Sequence, residues 1–263
     1  MPSIFAYQSA EVDWCEKNFE KSEYIAEYYN TFSSISFFIM APLTFWINID
    51  YDKYRPFALR TNILLQILIG IFSIYFHLTL SYAGQMLDEL SILWTLSISY
   101  GFWFPVHHFP RFIKNREQFL WMVGFVTVVS TLMSFVKPVL NAYVLNCITL
   151  HIFYTMFKEQ QKNKNPRVCI VAKRLVVWWL VAISFWLIDK FLCNLCLKFN
   201  FYYFHSLWHI LMSVAVCYCL VLILYYDVLS DVPSYEPELQ YWPSDTSFFT
   251  LPCVKIRNSQ KLC

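Results

Sequence analysis

Charge is scarce in this chain. Of its 263 residues only 14% are Asp, Glu, Lys or Arg, against 58% hydrophobic and 20% aromatic. A soluble protein of this length needs more polar surface than that to face water, so a soluble fold is excluded. The 20 basic and 18 acidic residues nearly balance, and no basic stripe stands out. That removes nucleic acid from the expected partners. No basic stretch followed by an apolar run opens the sequence, so no cleaved signal peptide is expected and the first membrane helix must do the targeting. There is no internal repeat, no low-complexity segment, and none of the paired broken helices that mark many transporters.

What the chain has instead is long apolar runs. Seven of them, at 31–49, 61–81, 87–108, 119–136, 138–157, 174–194 and 201–226, reach roughly 18 residues or more, the length a helix needs to cross a bilayer. They predict an all-α membrane protein, a seven-transmembrane-helix bundle over 31–227. A polar N-terminal segment, 1–30, precedes it and a tail, 228–263, follows. Basic residues set the orientation. The loops after the first, third and fifth runs hold Lys53, Arg55, Arg60, Arg111, Lys114, Arg116, Lys158, Lys162, Lys164, Arg167, Lys173 and Arg174. The other side holds Lys137, Lys190 and Lys198. The bias places the N-terminus in the lumen and the tail in the cytosol.

Chemistry gathers around His205-Ser206-Leu207-Trp208-His209. Histidines at i and i+4 share one helix face and can reach one metal ion. A catalytic zinc usually takes three protein ligands and an open position. By topology the second run ends, the third begins, the sixth ends and the seventh begins on the lumenal side. That collects Ser73, His77, Asp88, Asp189, His205 and His209 in one layer. His107, His108 and His151 fall near the cytosolic ends and read as packing or interface residues, since most of a core about 30 Å thick separates them from the others.

Three imidazoles would hold a zinc whose bound water has its pKa lowered from about 15.7 towards about 7. Asp88 would handle the proton and Ser73 would donate to an oxyanion. A site inside the membrane implies a lipid substrate arriving from the bilayer. Each residue also has a plainer reading: a back-bonded serine, packed histidines, and carboxylates at a helix start acting as caps or dipole partners. Together these would make a polar interior network. Asp189, an ionisable residue in a span, is a functional candidate by default. Its alternatives are snorkelling and pairing with Lys190 or Lys198. In the N-terminal segment Asp13, Glu16 and Asn18 lie within six residues, and Glu27 can return to them from the next helix. Oxygen ligands of this kind suit calcium, although no standard calcium loop is present.

Five stretches taken in order resemble the alkaline ceramidases: 11–16 (EVDWCE), 24–30 (YIAEYYN), 73–80 (SIYFHLTL), 85–89 (QMLDE) and 205–209 (HSLWH). The opening 1–8 and the tail around Arg257 extend the likeness, which runs over nearly the whole chain. The resemblance implies a hydrolase that cleaves the amide of ceramide to sphingosine and a free fatty acid in the endoplasmic reticulum membrane. It implies His77, His205 and His209 as zinc ligands, with Asp88 and Ser73 catalytic. It also implies Asp13, the Trp14 carbonyl, Glu16, Asn18 and Glu27 as a regulatory calcium site, and a bridge from Cys15 to Cys193, with Cys196 the competing partner. Asp189 keeps no assigned role beyond orienting a metal-bound histidine as one option. Two other readings stay open at this point: hydrolysis of a different membrane lipid, and a seven-helix receptor with a structural zinc.

Overall fold

The computed structural model describes residues 3–256 apart from 164, 246, 248 and 249. Lys164 and Arg257, used above, lie outside the described residues. From Tyr28 to Asp231 the described chain is mainly helical. Helices α1 (Tyr28–Ser33) and α2 (Ile35–Ile47) are separated only by Ser34. They are followed by α3 (Ile49–Tyr54), α4 (Pro56–Thr79), α5 (Tyr82–Trp103), α6 (Arg116–Val136), α7 (Val139–Lys162), α8 (Pro166–Phe191), α9 (Cys193–Lys198) and α10 (Phe204–Asp231). A 3-10 turn, Val106–His108, lies between α5 and α6. Two antiparallel strands, β1 (Pro237–Trp242) and β2 (Leu251–Ile256), close the described chain, with Pro237 opposite Ile256 and Trp242 opposite Leu251.

Six stretches are long and apolar enough to cross a membrane: 28–47, α4, α6, 140–162, α8 and α10. Helix α5 has 22 residues but is not among the six. Gln85, Asp88, Glu89 and three serines dilute its apolar content. The sequence reading is corrected at three places. The third run was placed at 87–108, but α5 starts at Tyr82, so Asp88 lies in its second turn rather than opening it. His107 and His108 sit in the 3-10 turn beyond the helix. Arg167, Lys173 and Arg174, read as loop residues, lie in the first turns of α8, which begins at Pro166, a residue whose fixed φ suits a helix start.

The chain divides into two compact units, each gathered from three stretches. The first holds 1–41, 65–91 and 175–216. In it the N-terminal segment has no helix before Tyr28, yet its backbone is well partnered. A helix leaves its last carbonyls unsatisfied. Here the N–H groups of Glu27, Ala26, Gln8 and Ala10 donate to the carbonyls of His77, Leu78, Thr79 and Leu80, at 2.9, 2.9, 3.1 and 2.9 Å. The segment is therefore the cap of α4. Cys15 is disulfide-bonded to Cys193, with Cα atoms 5.2 Å apart, and Cys196 is a buried free thiol. At the α4–α5 turn a Cβ on Gly84 would lie 2.9 Å from the Phe76 Cα and 3.0 Å from the Ser81 hydroxyl. Only glycine lets the two helices come so close there.

The second unit holds 42–64, 92–174 and 217–263. In it Asp227 on α10 accepts from the Tyr51 hydroxyl at 2.6 Å and from Arg55 at 2.8 Å, while the Trp103 indole donates to the Tyr51 oxygen at 2.9 Å. The hairpin is docked rather than free. Val254 N–H donates to the Asn48 side chain at 2.9 Å, the Tyr218 hydroxyl to the Thr250 carbonyl at 2.8 Å, and Leu239, Cys253, Val254 and Ile256 are buried. Trp121, Phe125, Val136 and Phe157 are exposed, the outward apolar face expected of helices that meet lipid.

Candidate active site

The first unit brings the candidate residues of one layer together. His77 comes from the last turn of α4, and His205 and His209 from the first two turns of α10. All three side chains are buried. One ring nitrogen from each lies within 4.8 Å of the others. Two of those rings carry a nitrogen with no hydrogen-bond partner, Nε2 of His77 and Nδ1 of His205. A buried polar nitrogen left unpaired costs about 1–3 kcal/mol. An ion held by the three imidazoles would give such nitrogens a partner. Three nitrogen donors suit zinc, so the residues fit that group.

The far side of each ring is held. Nδ1 of His77 meets Oε2 of Glu27 at 2.5 Å, and Nδ1 of His209 meets the Ser33 hydroxyl at 2.7 Å. The His205 ring stacks on Trp14, centroids 3.7 Å apart. Ser73, one turn before His77, lies 3.4 Å from Nε2 of His209 and 2.9 Å from the Ser34 hydroxyl, and it hydrogen-bonds the Asp88 side chain. Asp88 is half-buried. Its backbone carbonyl takes the Ser91 hydroxyl at 2.8 Å. Asp189 is buried rather than snorkelling, and the charge of Lys190 acts on it. Its carboxylate is buried and accepts from the backbone N–H of Cys15 at 2.9 Å and of His205 at 3.2 Å. It thus braces the backbone at the start of α10.

The acidic N-terminal cluster lies beside the histidines. Asn18 donates to both Asp13 oxygens at 3.1 and 3.2 Å. Glu27 accepts from the Trp14 N–H at 3.1 Å and from the Asn30 amide at 3.2 Å. Glu16 takes the N–H groups of Tyr29 and Asn30 at 2.6 and 2.9 Å, satisfying the start of α1. Burial pushes the Glu16 carboxyl up to about 7, and the negative charges of Glu27 and Asp189 add to the rise. Burial raises the Glu27 carboxyl well above its ordinary range, with Asp13 and Asp189 adding to it. Carboxylates that oppose one another's ionisation, next to a buried Asn18 carbonyl oxygen with no partner, have the donor chemistry of a cation site.

Several contributors were not foreseen from the sequence. Asn30 joins three elements: its backbone N–H binds Glu16, its amide nitrogen binds Glu27, and its amide oxygen takes the Ser206 hydroxyl at 2.6 Å. Gln85, also buried, accepts from the N–H groups of Glu11 and Val12 at 2.8 and 3.2 Å. Ser33 and Ser34 sit at the junction of α1 and α2. The polar run Asn30-Thr31-Phe32-Ser33-Ser34 at the mouth of an apolar helix was the signal for these residues.

Buried histidines converging beside a serine and an aspartate, in a chain of membrane-length helices, define the class: a polytopic membrane hydrolase. The sequence profile of the family described as Ceramidase matches residues 6–255. Human alkaline ceramidase 1 is 45% identical over 264 aligned residues that take in all of both chains. Mouse alkaline ceramidase 1 is 43% identical, covering all of this chain and 97% of that one. The alkaline ceramidase of Drosophila melanogaster is 35% identical over 96% of this chain and 90% of its own. The chain belongs to the ceramidase family and is a hydrolase of that family.

Proposed function

We propose that this protein hydrolyses the amide bond of ceramide, releasing sphingosine and a free fatty acid, with a zinc ion held by His77, His205 and His209. The observation that carries the reading is the convergence of three buried imidazoles, two with an orphaned nitrogen, beside Ser73 and Asp88. Zinc held there supplies a Lewis acid that lets water surrender its proton near neutral pH. The chain's own groups do the rest. Asp88 takes the proton of the attacking water and passes it to the amide nitrogen as the C–N bond breaks. Ser73 donates its hydroxyl to the carbonyl oxygen as charge develops on it. Glu27 and Ser33 hold the imidazoles of His77 and His209 in one tautomer and one orientation.

Asp13, the Trp14 carbonyl, Glu16, Asn18 and Glu27 form a calcium site that regulates this chemistry. Glu27 reaches from the calcium segment to His77, and Trp14 stacks on His205. An ion ordering that segment would thereby order two of the three imidazoles. In the bilayer we place the N-terminal segment 1–30 in the lumen of the endoplasmic reticulum and the catalytic domain 31–227 across the membrane, with α5 as the seventh crossing. The tail 228–263 lies in the cytosol. Ceramide enters sideways from the bilayer.

The test is ceramide hydrolysis by purified protein before and after zinc chelation, beside His209→Ala. Activity should vanish with the metal and with the histidine, and return when zinc is restored to the wild type. Full turnover in the chelated protein would overturn the reading. Stoichiometric zinc without turnover on any ceramide would transfer the mechanism to another lipid.

A further inference from the structure

A second group of metal-ligating side chains lies in the other unit and has no part in the chemistry above. The 3-10 turn after α5 presents His107 and His108 side by side, ring centroids 4.4 Å apart. Both Nε2 atoms point at the same oxygen, Oε1 of Glu159 on α7, each at 2.7 Å. The three ligand atoms lie within 4.8 Å of one another. Lys162, one turn along α7, puts its ammonium into the same knot, 2.9 Å from that oxygen and 3.0 Å from Nε2 of His107.

The protons do not close. Nε2 of His107 must carry a hydrogen to donate to Glu159, and must lack one to accept from Lys162. Oε1 of Glu159 is approached by three nitrogens, more than its two lone pairs serve well. The conflict disappears if Nε2 of both histidines is a bare acceptor and a cation stands between them and the carboxylate. Lys162 supplies one positive charge there, but its ammonium binds each acceptor only through a hydrogen bond. The carboxylate is mostly buried, with 11% of its side chain exposed, while His107 is 46% and Lys162 57% exposed. The oxygen is therefore fixed, one imidazole is open to solvent, and the lysine is free to swing away.

We propose that His107, His108 and Glu159 form a second divalent metal site, for zinc or a similar borderline ion, in which the ion displaces the Lys162 ammonium. Two imidazoles and one carboxylate are the donors that favour zinc, cobalt, nickel or copper over calcium and magnesium. Water completes the coordination on the side where His107 is exposed. The ion ties the connection that follows α5 to the end of α7. Lys162 sets the affinity, because it is a built-in competitor whose charge must be moved before the metal can bind.

Zinc itself is the probe, titrated into the purified full-length protein with bound metal counted by elemental analysis, and cobalt absorption as a second readout. Wild type is expected to take two equivalents, a tight one and a weaker one. His107→Ala/His108→Ala and Glu159→Gln should each lose the weaker equivalent and keep ceramide hydrolysis. Lys162→Met should bind the weaker equivalent about tenfold more tightly, since it removes a unit charge about one contact distance from the ion. A gain of that kind cannot come from misfolding. His209→Ala should lose the tight equivalent alone, so the failure of one site is distinguishable from the failure of the other. A wild type that takes one equivalent at any zinc concentration, or a weaker equivalent that survives in His107→Ala/His108→Ala, overturns the proposal. So does an affinity unchanged in Lys162→Met.

Discussion

Replacing Glu27 with glutamine separates the two roles assigned to its carboxylate. The side chain is buried, and its Oε2 bonds Nδ1 of His77 at 2.5 Å while its Oε1 takes the Trp14 N–H at 3.1 Å. Glutamine keeps the shape but loses the charge that holds a hydrogen on Nδ1 and leaves Nε2 free for metal. Losing a carboxylate behind a metal-binding histidine typically costs 10–100-fold in metal affinity or activity, or about 1.4–2.7 kcal/mol. Glu27→Gln should therefore bind zinc about 10–100-fold more weakly than wild type, measured by competition with a chromophoric chelator at saturating calcium. Glu16→Gln is the control. Glu16 belongs to the same acidic cluster but bonds the backbone of Tyr29 and Asn30 and no histidine. It should lose calcium affinity and keep zinc affinity. Equal zinc affinity in Glu27→Gln and wild type would refute the orienting role, and an equal zinc loss in Glu16→Gln would show the effect to be general loosening.

Other outcomes follow from the same geometry. Asp88→Ala should keep its zinc, by elemental analysis, and lose turnover by roughly 10²–10⁴-fold. Ser73→Ala should cost roughly 10²–10³ in kcat with zinc retained. Gly84→Ala forces a Cβ to within 2.9 Å of the Phe76 backbone and should destabilise the protein by about 1–3 kcal/mol, read as a lowered Tm. Without calcium, the Glu16 carboxyl titrates in the folded state near 7 rather than at its ordinary 4.5. The folded state then holds a proton the unfolded chain has lost, so calcium-free stability should fall as pH rises from about 4.5 to about 7. A Tm without calcium that rises over that window would contradict this.

The apolar runs made the membrane helices legible, and the order of run ends was enough to gather Ser73, His77, Asp88, His205 and His209 into one layer. What it could not show was how the N-terminal segment is held. Its backbone caps α4, and capping of that kind involves N–H and C=O groups that every residue shares. The start of α5 was misplaced for a related reason. Tyr82 to Gln85 is not apolar, and an apolar window begins only where the apolar residues do. The hairpin at 237–256 was read as plain tail because two short strands on a helical body bury only one face. Its register is fixed by partners such as Asn48 and Tyr218 that lie far away in sequence. Asp189 stayed open for the opposite reason: its residue type announced a role, but the backbone N–H groups it serves could be located only in space.

The covalent link between Cys15 and Cys193 also sets an order of biosynthesis. The link spans 178 positions, so it cannot close until α8 has been made and Cys193 can meet Cys15. His205 and His209 follow Cys193 almost at once, whereas His77 has been in place since early in synthesis. The ring that fixes the N-terminal segment and the last two imidazoles are thus completed within a short stretch of translation. Until then the nascent chain carries the segment and one histidine but no triad to hold a metal. On the proposed zinc-dependent reading, hydrolytic capacity arises only once the first turns of α10 have been made.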